Sequence, residues 1–310
     1  MQRQRFEKKY RITEEVAFGV REFVSSHLEL DEHGAGLPSY SYSVHSLYLD
    51  SDQLATYWMT INGDKNRYKL RLRFYDDKPD SPVFFEIKRR MNKVMMKQRG
   101  GVRKEAVPLI LAGQLPAPEQ LLSPDPKHLV AIQRFCELSQ AMQATPKVHV
   151  AYLREAWIDP QSDAIRVTFD RRVLGETEPT TRFCTEMTNP VQPFGREVIL
   201  ELKFTDRFPN WLREMVERFG LVQCGAAKYC ECVDLIGDQR LGAKLRRSAE
   251  MMTAEEPAPN LEPQPPNGDP NDASTPSVLQ EEVSAAPRPL PSLESPPQGG
   301  QDGRADGMAG

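Results

Sequence analysis

The sequence lacks any apolar run approaching the roughly 18–20 residues that cross a bilayer. Its first residues, Met1 to Lys9, are charged and lack the apolar segment of a signal peptide. Cysteine is scarce. The five residues Cys136, Cys184, Cys224, Cys230 and Cys232 are odd in number and too few for a disulfide scaffold. Cys224, Cys230 and Cys232 show no paired CxxC spacing and no nearby His, which argues against a zinc site. A reduced, cytoplasmic setting is the expectation. Histidine is also sparse. His27, His33, His45, His128 and His149 are scattered, and no Ser–His or Cys–His pair suggests a nucleophile.

The 310 residues carry a net charge of −4, which hides a split. Residues 250–310 hold 11 Asp/Glu against 2 Arg, so residues 1–249 are mildly basic at +5. The same end holds twelve Pro and almost no aromatic residues. Such a segment buries too little apolar surface to offset the entropy of ordering it. Two regions are therefore expected: a domain over 1–249 and a disordered, acidic, Pro-rich tail over 250–310. The tail would act as a tether or a protein-binding segment.

Before the tail the hydrophobic pattern is mostly of period two. Strands are expected at Arg3–Ile12, Ser41–Leu49, Asn66–Tyr75, Val83–Arg90, Lys93–Arg99, Val148–Trp157, Ile165–Leu174 and Glu197–Phe204. Helices are expected at 13–28, behind the N-cap Thr13, at 127–142, and at 209–219 between Pro209 and Gly220. Asp50 and Asp52 read as turn formers. Trp58, Trp157 and Trp211 read as core aromatics.

The phase of the alternation carries the information. In Asn66–Tyr75 one face holds Arg67, Lys69, Arg71 and Arg73, and the other Tyr68, Leu70, Leu72 and Phe74. Glu86, Lys88 and Arg90 share a face, as do Arg3, Arg5, Glu7 and Lys9. Glu201 pairs in phase with Lys203, Lys97 with Arg99, Tyr152 with Arg154, and Arg166 with Thr168 and Asp170. For a single strand, a solvated outer face is the better account. Repetition in many strands with one sign in excess does not fit that account, because like charges across a sheet repel.

Charged faces turned inward and apolar faces covered by helices describe an α+β fold: a closed antiparallel β-barrel of about eight strands with a polar, basic lumen. Arg and Lys in such a lumen grip phosphate oxygens. The in-phase carboxylates Glu7, Glu86 and Glu201 suit a hard divalent cation bridging to phosphate. Tyr68 and Phe74 lie opposite the arginines, so they form no stacking platform with them, and nucleic acid is not an expected partner.

Taken in order, several pieces resemble the VTC (vacuolar transporter chaperone) domain, a branch of the CYTH-like triphosphate tunnel metalloenzymes. They are Arg5-Phe6-Glu7-Lys8-Lys9-Tyr10, Ser46-Leu47-Tyr48-Leu49-Asp50, Lys69-Leu70-Arg71-Leu72-Arg73 and Glu86-Ile87-Lys88. Tyr152-Leu153-Arg154, Arg166-Val167-Thr168-Phe169-Asp170, Glu201-Leu202-Lys203 and Ala227-Lys228-Tyr229 continue the series. The resemblance implies a polyphosphate polymerase that transfers the γ-phosphate of ATP to inorganic polyphosphate with Mn²⁺ or Mg²⁺. It assigns phosphate binding to Lys9, Arg71, Arg73, Lys88, Arg154 and Lys228, with Lys97 or Arg99 completing the set and Lys203 in the same lumen. It makes Glu201 the metal ligand and Tyr152 the stacking partner of adenine, although a Tyr near a strand end also suits simple packing. With no membrane segment in the chain, recruitment to a membrane would come from a partner.

Two positions depart from the pattern. Arg5 stands where the wider superfamily has the first Glu of Glu-x-Glu-x-Lys, which disfavours a two-metal triphosphatase. Ala227 stands where the VTC pattern has Ser, which keeps a non-catalytic polyphosphate sensor as the competing expectation.

Overall fold

A computed structural model describes residues 5–242 other than 93 and 163, with nothing said of the side chain at 5. The expected 250–310 tail, Arg3, and the side chains of Arg5 and Lys93 lie outside the described residues. No helix among the described residues is long and apolar enough to cross a membrane.

The chain opens with β1 (Arg5–Ile12), α1 (Glu14–Ser25), β2 (Glu29–Leu30) and β3 (Ser41–Asp50). It continues with α2 (Ala55–Ile61), β4 (Asn66–Phe74), β5 (Pro82–Met91) and β6 (Val94–Arg103). Next come α3 (Val107–Leu111), α4 (Pro126–Ala141), β7 (Thr145–Ile158), β8 (Ile165–Thr177) and β9 (Val198–Thr205), and α5 (Asn210–Arg218), α6 (Lys228–Ile236) and α7 (Asp238–Leu241) close it. Thr13 caps α1 as expected, its hydroxyl accepting from the Val16 N–H at 3.3 Å. The helix stops at Ser25 rather than 28, because the Ser25 and Ser26 hydroxyls turn back onto the Glu22 and Phe23 carbonyls.

The expected closed barrel is not what forms. The nine strands make one antiparallel sheet in the order β1-β9-β8-β7-β3-β4-β5-β6, with β2 on β7, and it is open between β1 and β6. A loop meets each edge at one point. The Cys224 N–H bonds the Lys9 carbonyl of β1 at 2.9 Å, beside a bridge from Tyr10 to Gln223. The Leu122 N–H bonds the Gly101 carbonyl of β6 at 3.1 Å, beside a bridge from Leu121 to Val102. A main-chain group paired in this way is not offered to the opposite edge. The sheet curls far enough for side chains alone to meet, and Lys88 of β5 reaches Glu7 of β1 at 3.2 Å.

Helices cover the convex apolar face in two clusters. Leu70, Leu72, Phe74 and Phe85 pack beneath Ile132 and Phe135 of α4. Leu200 and Leu202 pack with Val20 and Val24 of α1 and Met215 of α5. A third cluster lies on the concave face, where Tyr48, Val148 and Val150, in register with Arg71 or Arg73, pack with α2 and α6. Burying each such side chain contributes roughly 1.5–3 kcal/mol. As expected, Tyr68 and Phe74 face the helices: Phe74 is fully buried and the Tyr68 hydroxyl meets Met142.

Two of the scattered histidines meet. His45 Nδ1 lies 3.0 Å from His149 Nε2, and both rings pack on Phe74. Burial pushes both imidazoles down to about 4, against a partial upward pull from Asp77 on His45 and from Glu176 on His149. Below pH 6.5 the unfolded chain therefore takes up protons that the folded chain refuses until about pH 4. Stability present above pH 6.5 is lost as pH falls through that window, by at most about 3 kcal/mol per imidazole. Urea denaturation between pH 6.5 and 5, where carboxylates do not yet titrate, should show this loss, and His45→Gln should flatten it. An unchanged slope in the variant would rule out the pair as its source.

Candidate functional site

The concave face encloses a cavity of about 1540 Å³, and period-two alternation explains who lines it. Lys9 and Glu7 enter from β1, Arg71 and Arg73 from β4, Lys88 from β5, and Lys97 and Arg99 from β6. Tyr152 and Arg154 come from β7, Glu201 and Lys203 from β9, and Lys228 from the first turn of α6. The register sets their neighbours: Arg71 lies opposite Glu86, which lies opposite Arg99, and Lys9 lies opposite Glu201. One carboxylate behaves differently from the sequence expectation. Glu86 is fully buried and does not line the cavity; it sits behind the wall.

The charges fall into two clusters. Glu86 binds Arg71 at 2.6 Å and Lys97 at 2.8 Å, with Arg99 at 3.4 Å and Arg73 at 3.9 Å. Burial alone would raise its carboxyl, but Arg71, Arg73 and Lys97 hold it well below the usual carboxylate range. Glu201 is the second centre, with Lys203 at 2.7 Å, Lys9 at 3.0 Å, Lys228 at 3.3 Å and Arg154 at 3.6 Å. It too is held well down against the effect of burial, by Lys203, Lys9 and Lys228. Glu7 links Lys9 to Lys88.

The ammonium groups respond unequally. Burial would lower Lys9 and Lys228, yet Glu201 acting with Glu7 or Asp170 raises both, so they stay charged. Burial wins at Lys88, Lys203 and Lys97, helped by neighbouring cations, and Lys97 falls to about 7. Each of the three shares its carboxylate with other cations.

Several supporting residues had no role in the sequence reading. Asp170 forks onto Arg154 with two 2.7 Å bonds and also holds Lys228 at 2.7 Å. Its in-phase position and its place in the family-like piece Arg166–Asp170 were the signals. The Tyr48 hydroxyl accepts from Arg71 at 3.2 Å, and its ring stacks on Tyr229 at 4.9 Å. Asp50, expected in a turn, is instead fully buried. It accepts from the N–H groups of Thr56 and Tyr57 at the start of α2 and from the Tyr229 hydroxyl at 2.8 Å. A carboxylate at a helix start meets unpaired N–H groups there, which a turn position would not supply.

Tyr152 is buried, and its hydroxyl accepts from Arg73 at 3.0 Å. Lys228 Nζ lies 4.9 Å and the Arg154 guanidinium carbon 5.1 Å from its ring centre. The Arg73 Nε, in a residue only 6% exposed, has no hydrogen-bond partner. Ala227 precedes α6 and supplies no side-chain cap.

Among the described residues no three His, Cys, Asp or Glu side chains gather into a metal cage. Glu201 and Glu7, both bonded to Lys9, fit a divalent ion of the kind held by one or two carboxylates plus substrate phosphates and water.

No curated protein matches the chain. In three dimensions it is similar to a candidate adenylate cyclase from Bacillus halodurans, at 12% identity and a TM-score of 0.39, over 73% of this chain and 95% of that one. It is similar also to one from Vibrio parahaemolyticus, at 12% identity and a TM-score of 0.36, over 76% and 99%. The VTC domain family matches residues 4–236, which takes in all nine strands and the cation-lined cavity, and the chain belongs to that family.

Proposed function

We propose that this chain is a polyphosphate polymerase that transfers the γ-phosphate of ATP to a growing inorganic polyphosphate chain. The observation that carries the reading is a concave wall of cations around two buried carboxylates, with the Arg73 Nε left without a hydrogen-bond partner. Donor and acceptor are both polyanions, and holding them end to end requires their repulsion to be neutralised. Arg71, Arg73, Lys88, Arg154 and Lys228 supply that neutralisation at the reacting phosphates, with Lys9, Lys97, Arg99 and Lys203 around them. A terminal phosphate oxygen of the acceptor attacks the γ-phosphorus, the bond to the β-phosphate oxygen breaks, and ADP leaves with the electron pair. The acceptor is already anionic, so no general base is needed.

Mn²⁺ or Mg²⁺, held by Glu201 with Glu7 nearby, would neutralise charge on the transferred group. Glu86, fully buried and not lining the cavity, holds Arg71 and Arg73 in place and is not a metal ligand in this reading. Tyr152 offers its ring to the adenine beside Arg154 and Lys228.

Purified protein with ATP and Mn²⁺ should form an acid-labile phosphate polymer and release ADP. Arg71→Ala and Glu201→Gln should each lower the rate by about 100-fold or more, the scale of losing one preorganised charge contact. Equal rates in all three proteins would remove the assignment, and steady orthophosphate without polymer would point to a triphosphatase. The competing reading is a polyphosphate sensor. Ala227 favours it, because a hydroxyl at the start of α6 is missing from the phosphate site. Tight polyphosphate binding without ATP turnover would select it.

A further inference from the structure

The compensation of charge is not uniform along β4. Inner residues on one strand stand about 6.6 Å apart, so the row Arg67, Lys69, Arg71, Arg73 extends about 20 Å. Arg71 and Arg73 face Glu86. Toward the start of the strand the pairing changes: Arg67 lies opposite Arg90, and Lys69 opposite Lys88, which lies opposite Lys97. Cations directly across a ladder repel. Arg67 donates to the Asp64 carbonyl, Arg90 to the Asn92 carbonyl at 2.8 Å, and Lys69 to the Thr60 hydroxyl. Among the described residues none of these three forms an ion pair with a carboxylate, yet all three line the cavity. Burial and Arg90 both disfavour the charge on Arg67, and burial disfavours that on Lys69.

We infer that Arg67, Lys69 and Arg90 form a separate subsite at one end of the cavity that holds the distal phosphates of a long polyphosphate chain and so selects for chain length. The inference rests on the polyanion reading above. A triphosphate gripped by Arg71 and Arg73 is shorter than the row and leaves this end unfilled, whereas a polymer runs past the Glu86 cluster and neutralises it. Arg67 and Arg90 sit nearest the end and carry the length dependence. Lys69 lies between the two clusters.

The test is calorimetric binding of inorganic tripolyphosphate and of long-chain polyphosphate to the full chain and to Arg67→Gln/Arg90→Gln. Tripolyphosphate affinity should stay within about twofold, long-chain affinity should fall about tenfold, and the salt dependence of long-chain binding should lessen. Arg67→Lys/Arg90→Lys should recover most of the loss, which separates lost charge from misfolding. Arg213→Gln/Arg218→Gln on α5 removes the same charge outside the cavity and should leave both ligands unaffected. Equal weakening for both ligands, or none for either, would overturn the subsite while leaving the polyanion reading intact. Wild-type protein that binds neither ligand would overturn both.

Discussion

Replacing Glu86 by Gln should cost the free protein about 3–5 kcal/mol, because one buried carboxylate answers four cations and its removal leaves them uncompensated. For a domain of this size that is a fall of roughly 6–20 °C in melting temperature. Gln keeps the shape, so packing is not the variable. Inorganic tripolyphosphate should then restore much of the loss, since its oxygens supply the missing negative charge to Arg71, Arg73, Lys97 and Arg99. The variant should gain more from the ligand than the wild type gains. Thermal melts with and without tripolyphosphate measure both quantities. Equal gains in the two proteins would mean that the ligand does not meet this cluster.

Asp50→Ala should be at least as damaging, by more than about 4 kcal/mol. Asp50 receives the Ser51 N–H at 2.8 Å, the Thr56 N–H at 2.9 Å and hydroxyl at 2.7 Å, the Tyr57 N–H at 3.1 Å, and the Tyr229 hydroxyl. Each buried donor left without an acceptor costs about 1–3 kcal/mol. Tyr229 follows Lys228 in the chain, so loosening it displaces a cation from the cavity and removes the stacking support of Tyr48, which holds Arg71. Urea denaturation should show the loss of stability. Polyanion binding by the remaining folded protein should fall with it, although Asp50 touches no ligand. Asp50→Asn should lie between, because its carbonyl accepts some of the bonds while its amide repeats the donors already present. Wild-type stability in Asp50→Ala would refute this bracing role.

Much of the architecture is legible residue by residue. Asn66–Phe74 declares itself a strand with opposed cationic and apolar faces, because a pleated backbone sends alternate side chains to opposite sides whatever surrounds it. The helices at α1, α4 and α5 declare themselves by 3.6-residue spacing and by boundary signals such as Thr13 before α1 and Pro209 before α5. The apolar faces must find cover, so inward cations follow from local pattern alone.

The carboxylates were harder to read. Glu7, Glu86 and Glu201 look equivalent along the chain, each in phase with the cations of its strand. Folding separates them. Glu86 is sealed behind the wall among guanidinium groups, while Glu7 and Glu201 face the cavity around Lys9. Asp50 misled for a related reason: after a strand, an Asp followed by Ser and Asp reads as a turn, and its donors on α2 and α6 arrive only with the fold.

The alternation of side chains, the capping residues and the ordered motifs fixed eight of the nine strands and three of the seven helices among the described residues, the inner face and the family, because those depend on neighbours a few residues apart. Whether the sheet closes, which carboxylate meets the cavity, and which cations lack a counter-charge were decided in three dimensions. Each open edge meets chain that its own residues do not specify: Gln223 and Cys224 reach β1 from more than two hundred residues away, and Leu122 bonds β6. Main-chain groups at a strand edge bond whichever partner the folded chain brings to them, and local pattern does not encode that partner.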